Sequence, residues 1–231
     1  FPWYSDSPTT LPDYNTAGIT LGGNPINNFS ALVGATSTRP ELGQWFTARA
    51  DVTDLVRTRI GAEAGPDYSW EVSEGNRNER IDGEALVIVY SNAALPEGSV
   101  ALLDGGQNTG GETTQVNLGA PLGDPNAPGF AAQMSIASTF SCCGQQSTIR
   151  VNGDLLTEFA GNLDDGLQQT DGSLFTIGGL GDDPSNNVAS YEDDDELYDL
   201  RPFLTLGDTS FSIFTSNETN DDNIFFMGLY L

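Results

Sequence analysis

Apolar and polar residues alternate along this chain in short runs, and the runs stop at glycine, asparagine, aspartate or proline. YSWEVSEG (68–75) alternates with a period of two, and SVALLDGG (99–106), TTQVNLG (113–119), GFAAQMSIASTFS (129–141), STIRVNGDLL (147–156), SLFTIGG (173–179), TSFSIFTS (209–216) and NIFFMGLYL (223–231) recur with turn residues between them. A period of two is the mark of a strand with one buried face. EALVIVYS (84–91) holds a continuous apolar run, which predicts a central strand covered on both faces. In WFTARADVTDLVRTRI (45–60), Phe46, Ala48, Ala50 and Val52 alternate with Thr47, Arg49 and Asp51, so the reading is a strand that runs into a helical turn at Thr53–Arg59. Nine or more strands at this spacing predict an all-β fold, an antiparallel β-sandwich that is jelly-roll-like or immunoglobulin-like.

Two stretches interrupt the rhythm, AGNLDDGLQQTDG (160–172) and LGDDPSNNVASYEDDDELYDLRP (180–202), and both read as long acidic loops. Residues 1–30 hold four prolines and several aromatics without alternation, which predicts an extended N-terminal arm and first strand, followed by a single sandwich domain over 31–231. An arm carrying Phe1, Trp3 and Tyr4 needs a groove to bury them. Its own domain can supply that groove, or a neighbouring subunit can, by strand addition to an open sheet edge. The final run NIFFMGLYL is expected at such an edge.

Charge narrows the function classes. Acids number 33 against eight bases, the net charge is −25, and every base is an arginine. Nucleic acid and anionic membrane surfaces are repelled by such a chain. A halophilic setting suits it, because salt shortens the Debye length to about 8 Å or less and lets crowded carboxylates coexist. With neither lysine nor histidine, Ser-His-Asp and Cys-His nucleophiles, Schiff bases, histidine-based zinc hydrolysis and lysine P-loops are excluded. Internal Lys–Asn crosslinks are excluded too. A two-carboxylate glycosidase survives, needing a pair about 5–10 Å apart, but no pair is singled out by position in the sequence. No run of about 18 apolar residues spans a membrane, and Phe1 without an initiator Met is what signal-peptide removal leaves, so an extracellular, cell-surface location is expected.

Ca²⁺ is the cofactor such loops can hold, since it takes six to eight oxygens from carboxylates, amides and backbone carbonyls. Asn162, Asp164, Asp165 and Asp171 form one candidate group; Asp182, Asp183, Asp193, Asp194, Asp195 and Glu196 form another; Asp221 and Asp222 precede the last strand. None follows the D-x-[DN]-x-[DN]-G spacing, and solvated acidic loops look the same. The only cysteines, Cys142 and Cys143, are adjacent. In an oxidising compartment a vicinal disulfide closes an eight-membered ring and rigidifies a turn; two buried thiols, a bond to another chain and a ligand-touching turn are the alternatives. Asn28-Phe29-Ser30 and Asn217-Glu218-Thr219 are N-glycosylation sequons. For sugar stacking the available aromatic platforms are Trp3, Trp45, Trp70, Tyr191 and Tyr198, with the alternation around Trp70 favouring the core.

EALVIVYSNAALPEGSVALLDGGQ (84–107), FSCCGQQSTIRVNGDLL (140–156), AGNLDDG (160–166), ELYDLRPFL (196–204) and TSNETNDDNIFF (215–226), in that order, resemble an uncharacterised domain of bacterial and archaeal secreted cell-surface proteins. Some of these carry a PEP-CTERM-type sorting signal. The resemblance spans roughly residues 50–231 and implies a surface location and a β architecture, with no catalytic residues to carry over. The sequence stops at Leu231 without the Pro-Glu-Pro, membrane helix and basic tail of the sorted members.

These observations lead to the expectation of a non-catalytic extracellular structural protein, a subunit of a surface filament, sheath or layer whose partners are copies of itself, joined by donor-strand addition through the arm. The alternative is a calcium-dependent carbohydrate-binding or adhesive module that takes surface glycans.

Overall fold

A computed structural model describes residues 2–5, 18–36, 44–62, 67–75, 80–81, 84–108, 110–138, 147–158, 175–176, 197–217 and 224–231. These residues form antiparallel sheets with one α-helix, an all-β sandwich architecture.

The larger group of strands follows residue 99. One sheet has the order β13-β10-β16-β8, from Phe175–Thr176, Gln133–Ser138, Ile224–Tyr230 and Val100–Asp104, with β14 (Tyr198–Asp199) also on β10. Its companion has the order β12-β11-β15-β9, from Asp154–Glu158, Ser147–Val151, Ser210–Asn217 and Glu112–Asn117. Alternation decides what each strand buries: Ala132, Met134 and Ile136, Ile149 and Val151, Phe211 and Ile213, and Met227 and Leu229 all point into one core. That core joins the inner faces of both sheets, each about 10 Å from the other in sandwiches of this kind. Buried Thr215 is satisfied there, its hydroxyl donating to Gln107 Oε1.

STIRVNGDLL is two strands rather than one. Asn152 (φ 52°) and Gly153 (φ 89°) both take left-handed conformations, which is what a tight hairpin between β11 and β12 requires of its two central residues. Asn152 also ties the hairpin to the rest: its Nδ2 donates to the Phe203 carbonyl (2.9 Å) and its Oδ1 accepts from Ser212 N–H (3.0 Å).

The smaller group precedes residue 84. One sheet has the order β4-β5-β1-β7, from Ser30–Thr36, Gln44–Arg49, Pro2–Ser5 and Arg80–Ile81; the other is β3-β2-β6, from Asn24–Pro25, Ile19–Leu21 and Val72–Glu74. Ile19, Leu21, Ile26, Phe29 and Ala48 form its buried cluster, with Trp70 and Leu86 packed on the outside. The turn expected at Thr53–Arg59 is a full helix, α1, Thr53–Ala62. It begins where Asp51 Oδ1 accepts Thr53 N–H (2.9 Å); the Thr53 hydroxyl first, and this backbone bond after it, hold the Asp51 carboxyl below its usual range. Arg59 in the last turn complements the helix dipole.

Three expectations are corrected. Residues 84–91 are not a central strand: Glu84–Asn92 has no ladder pairing, and Val87, Ile88, Val89 and Tyr90 are exposed. A strand apolar on both faces needs cover on both, and antiparallel sheets of this kind cover one. The last strand, β16, is not at an edge but between β10 and β8. The carboxy-terminal end of the second acidic stretch is not loop: Tyr198 and Leu200 are buried in the main core, and Leu200 N–H donates to Ala132 O (2.8 Å).

Candidate functional site: a cleft between the two groups of sheets

An apolar cleft of about 1180 Å³ opens between the smaller group of strands and the outer face of the sheet containing β8 and β16. Strand β2 contributes Ile19 and Leu21 to its wall, α1 contributes Val56 and Ile60, and β8 and β16 contribute Leu102 and Phe226. Residues 84–90 form the remaining side. One described ion pair bridges the two groups, Arg49 Nη1 to Asp104 Oδ2 at 2.7 Å.

The polar features of the cleft arise from local geometry. Gly75 N–H donates to Gly18 O (3.1 Å), and a Cβ at Gly75 would lie 2.8 Å from that oxygen, so only glycine lets the end of β6 approach the turn before β2. This fixes Glu74, beside which Glu84 enters from the unpaired segment that follows β7. Burial pushes the Glu84 carboxyl up to about 7, and the hydrogen bond and negative charge of Glu74 push in the same direction. The Glu84 Oε1 atom is out of solvent and without a hydrogen-bond partner. Nearby, the Arg59 guanidinium lies 4.8 Å from the centre of the Trp70 ring, a cation–π stack that occupies one face of that aromatic. Tyr90, at 72% exposure, is the most accessible aromatic of the cleft.

Sequence reasoning missed both glutamates as a pair. Glu74 and Glu84 are ten positions apart with no spacing signature, and they meet only because β6 pairs with β2 while the chain returns through β7. Sharing of a proton by two adjacent carboxylates is acid–base chemistry in principle. Two carboxylates in hydrogen-bond contact differ from the pair about 5–10 Å apart that a glycosidase uses.

Of the residues singled out by sequence, the structure places some and not others. In the arm, Trp3 and Tyr4 belong to β1, where Trp3 pairs with Phe46 and Ile81, and Tyr4 with Trp45 and Arg80; Phe1 lies outside the described residues. Tyr198 is 6% exposed, which withdraws it as a sugar platform. Trp70 packs on the smaller core, as its alternation suggests. Asn28 is exposed and its Nδ2 donates to Asp51 O (2.8 Å); Asn217 ends β15 opposite Ser147. Asn162, Asp164, Asp165, Asp171, Asp182, Asp183, Tyr191, Asp193, Asp194, Asp195, Glu196, Asp221, Asp222, Cys142 and Cys143 lie outside the described residues. Among the described residues no group of three or more acids or cysteines is arranged to hold a metal, and no helix is long and apolar enough to cross a membrane.

At the end of the second acidic stretch, Arg201 grips Asp199 through Nε to Oδ1 (2.9 Å) and Nη2 to Oδ2 (2.7 Å). Partial burial works to raise the Asp199 carboxyl, but the guanidinium and the Arg201 N–H outweigh it and hold the group below its usual range. This fork closes a short 3-10 turn, Arg201–Phe203, and is structural. Comparison with known proteins gives no match, whether to a family model, a curated protein or a solved structure.

Proposed function

We propose that this chain is a non-catalytic structural subunit of an extracellular filament, sheath or layer, joined to copies of itself by exchange of β1. One observation carries the reading. The four residues Pro2–Ser5 sit between β5 and β7 and pair antiparallel with both, Pro2 to Ser5 against Thr47 to Gln44 and Trp3–Tyr4 against Ile81–Arg80. Withdrawal of β1 opens two facing edges of matching register, and β1 of a second copy carries the same residues into the same slot. Residues 6–17 connect β1 to the strand that follows, so the exchanged strand stays covalently part of its own subunit. Exchange of an identical element is a low-cost route to assembly because every contact made within one chain is remade between two. A homopolymer of chains with net charge −25 needs screening salt, in keeping with the acidic, lysine-free composition. The resemblance to secreted surface proteins points the same way.

Deletion of residues 1–10 tests this. Negative-stain microscopy at high salt is expected to show ordered polymers of the full chain and none of the deletion, with a synthetic peptide of residues 1–10 capping the deletion as a monomer. Polymers that form equally well without residues 1–10 would overturn the reading.

The binding-module reading has one observation in its favour, the open cleft with Tyr90 exposed along its side. Retention of the monomeric protein on a glycan surface, lost on Tyr90→Ala, would favour it over assembly.

A further inference from the structure

The two groups of sheets are joined by residues 84–99, and no residue of that stretch belongs to a strand or helix. Its ends are anchored. Leu86 packs on the smaller core, and at the far end Ser99 and Leu231 exchange backbone bonds, Ser99 N–H to Leu231 O (2.6 Å) and Leu231 N–H to Ser99 O (2.9 Å). A turn lies between them, with Ala94 N–H donating to Asn92 Oδ1 (2.9 Å) and Leu95 N–H to Asn92 O (3.0 Å). From Val87 to Ser91, among the described residues, the backbone takes part in no ladder or turn bond. Side-chain exposure rises along the same residues, from 39% at Val87 to 72% at Tyr90. Every other aromatic side chain described is buried or half-buried, so Tyr90 is the exposed aromatic among them.

An endoprotease must draw several residues of backbone into its own active site, so cutting of folded chains concentrates where backbone is exposed and unpaired. We propose that Tyr90–Ser91 is a cleavage site for an endoprotease whose specificity pocket takes an aromatic side chain, and that the cut severs the chain between its two groups of sheets. Such a pocket is an apolar slot, and Tyr90 fills it with Val87, Ile88 and Val89 ahead of it. A carboxylate drawn into apolar subsites would carry the cost of burying a charge, and residues 85–96 contain none, in a chain with 33 acids. The exposed leucines are held against the same enzyme. Leu102 and Leu155 sit in ladders, opposite Gly228 and Arg150. Leu206 enters a turn in which Gly207 N–H donates to Leu122 O (2.9 Å). Leu95 precedes Pro96, whose fixed ring and missing N–H suit it poorly to the position after a cut. Hydrolysis consumes one water: the C–N bond between Tyr90 and Ser91 breaks, OH joins the Tyr90 carbonyl carbon and H joins the Ser91 nitrogen. The buried residues of the larger core all follow Ser91, whereas residues 84–90, one side of the cleft, are left tethered at one end. This inference does not rest on the strand exchange proposed above.

Trace chymotrypsin acting on the full chain without denaturant tests the proposal, read by intact mass and by sequencing of new amino termini. Fragments 1–90 and 91–231 are expected, the second beginning at Ser91. Tyr90→Ala should slow this cut by at least about tenfold while cuts elsewhere keep their rates, and Ser91→Pro, which retains the aromatic, should slow it as much. The rate of the cut should also stay flat in urea below the unfolding transition, because local exposure is enough; a bond cut only from the unfolded chain accelerates with the unfolded population. A Tyr90–Ser91 bond still intact when half of the chain has been cut elsewhere would overturn the inference, and so would a rate that climbs with urea in step with unfolding. If either variant loses its fold, the urea dependence of the unaltered chain still decides.

Discussion

The two groups of sheets are built from the same kind of alternating sequence, yet they differ in closure and in charge. Among the described residues, the group after residue 99 forms one core in which several side chains have no exposure at all, whereas the cluster around Ile19 in the group before residue 84 lines an open cleft. Residues 1–83 hold 11 acids and six of the eight arginines; residues 84–231 hold 22 acids and two. Closed packing goes with the more acidic part of the sequence. Open packing goes with a smaller excess of acid and with the cleft. The contrast teaches that the same alternating pattern can close a core in one group and leave a cleft beside it in the other.

Core truncations should break this comparison open with the largest effect. Phe211→Ala, at a ring buried in the closed core, is expected to cost about 3–5 kcal/mol in urea unfolding followed by circular dichroism. Ile19→Ala should cost less, about 2 kcal/mol, because its side chain borders an existing cleft and the vacated space joins solvent instead of forming a sealed cavity. Equal costs would mean that the smaller group is as tightly closed as the larger.

A smaller effect is expected from Glu84, and its sign is fixed by the direction of the shift. The folded-state carboxyl is raised from an ordinary 4.5 to about 7, so the folded chain holds this proton more tightly than the unfolded chain does. The associated stability is fully present below pH 4.5 and is lost as pH rises through about 7. Because the group is only half-buried, solvent screening reduces the effect to about 1 kcal/mol. Glu84→Gln should flatten this part of the pH profile, and its urea midpoint should exceed that of the unaltered chain at pH 8 but not at pH 4. An unchanged pH profile would show that Glu74 and Glu84 are not in contact in solution.

The closed half was the legible half. Alternation in 129–141, 209–216 and 223–231 predicted β10, β15 and β16, because a sheet with one covered face writes its burial into every second residue. The Asn152-Gly153 pair carried the hairpin signal, although the reading ran the two strands together. Residues 84–91 misled because an apolar run reports that cover is required without saying whether it comes from the same chain. Tyr198 and Leu200 were hidden by the acidic residues that precede them, where local composition outweighed two core side chains. The cleft and its glutamate pair were not legible: both arise from which strands become neighbours, and strand order is set by long-range packing that no local period records.

The smallest expected effect concerns how the two groups are joined. Arg49 is 67% exposed and Asp104 25%, so their 2.7 Å ion pair sits largely in water and competes with it. Asp104→Asn should cost no more than about 0.5 kcal/mol, and the difference should vanish in about 1 M NaCl, where the Debye length is about 3 Å. The informative quantity is cooperativity, not the midpoint. If the groups depend on this tie, Asp104→Asn separates unfolding into two transitions with different urea slopes, each set by the surface one group exposes. A single transition of unchanged slope would place the coupling in the chain itself, through residues 84–99 that run from one group to the other.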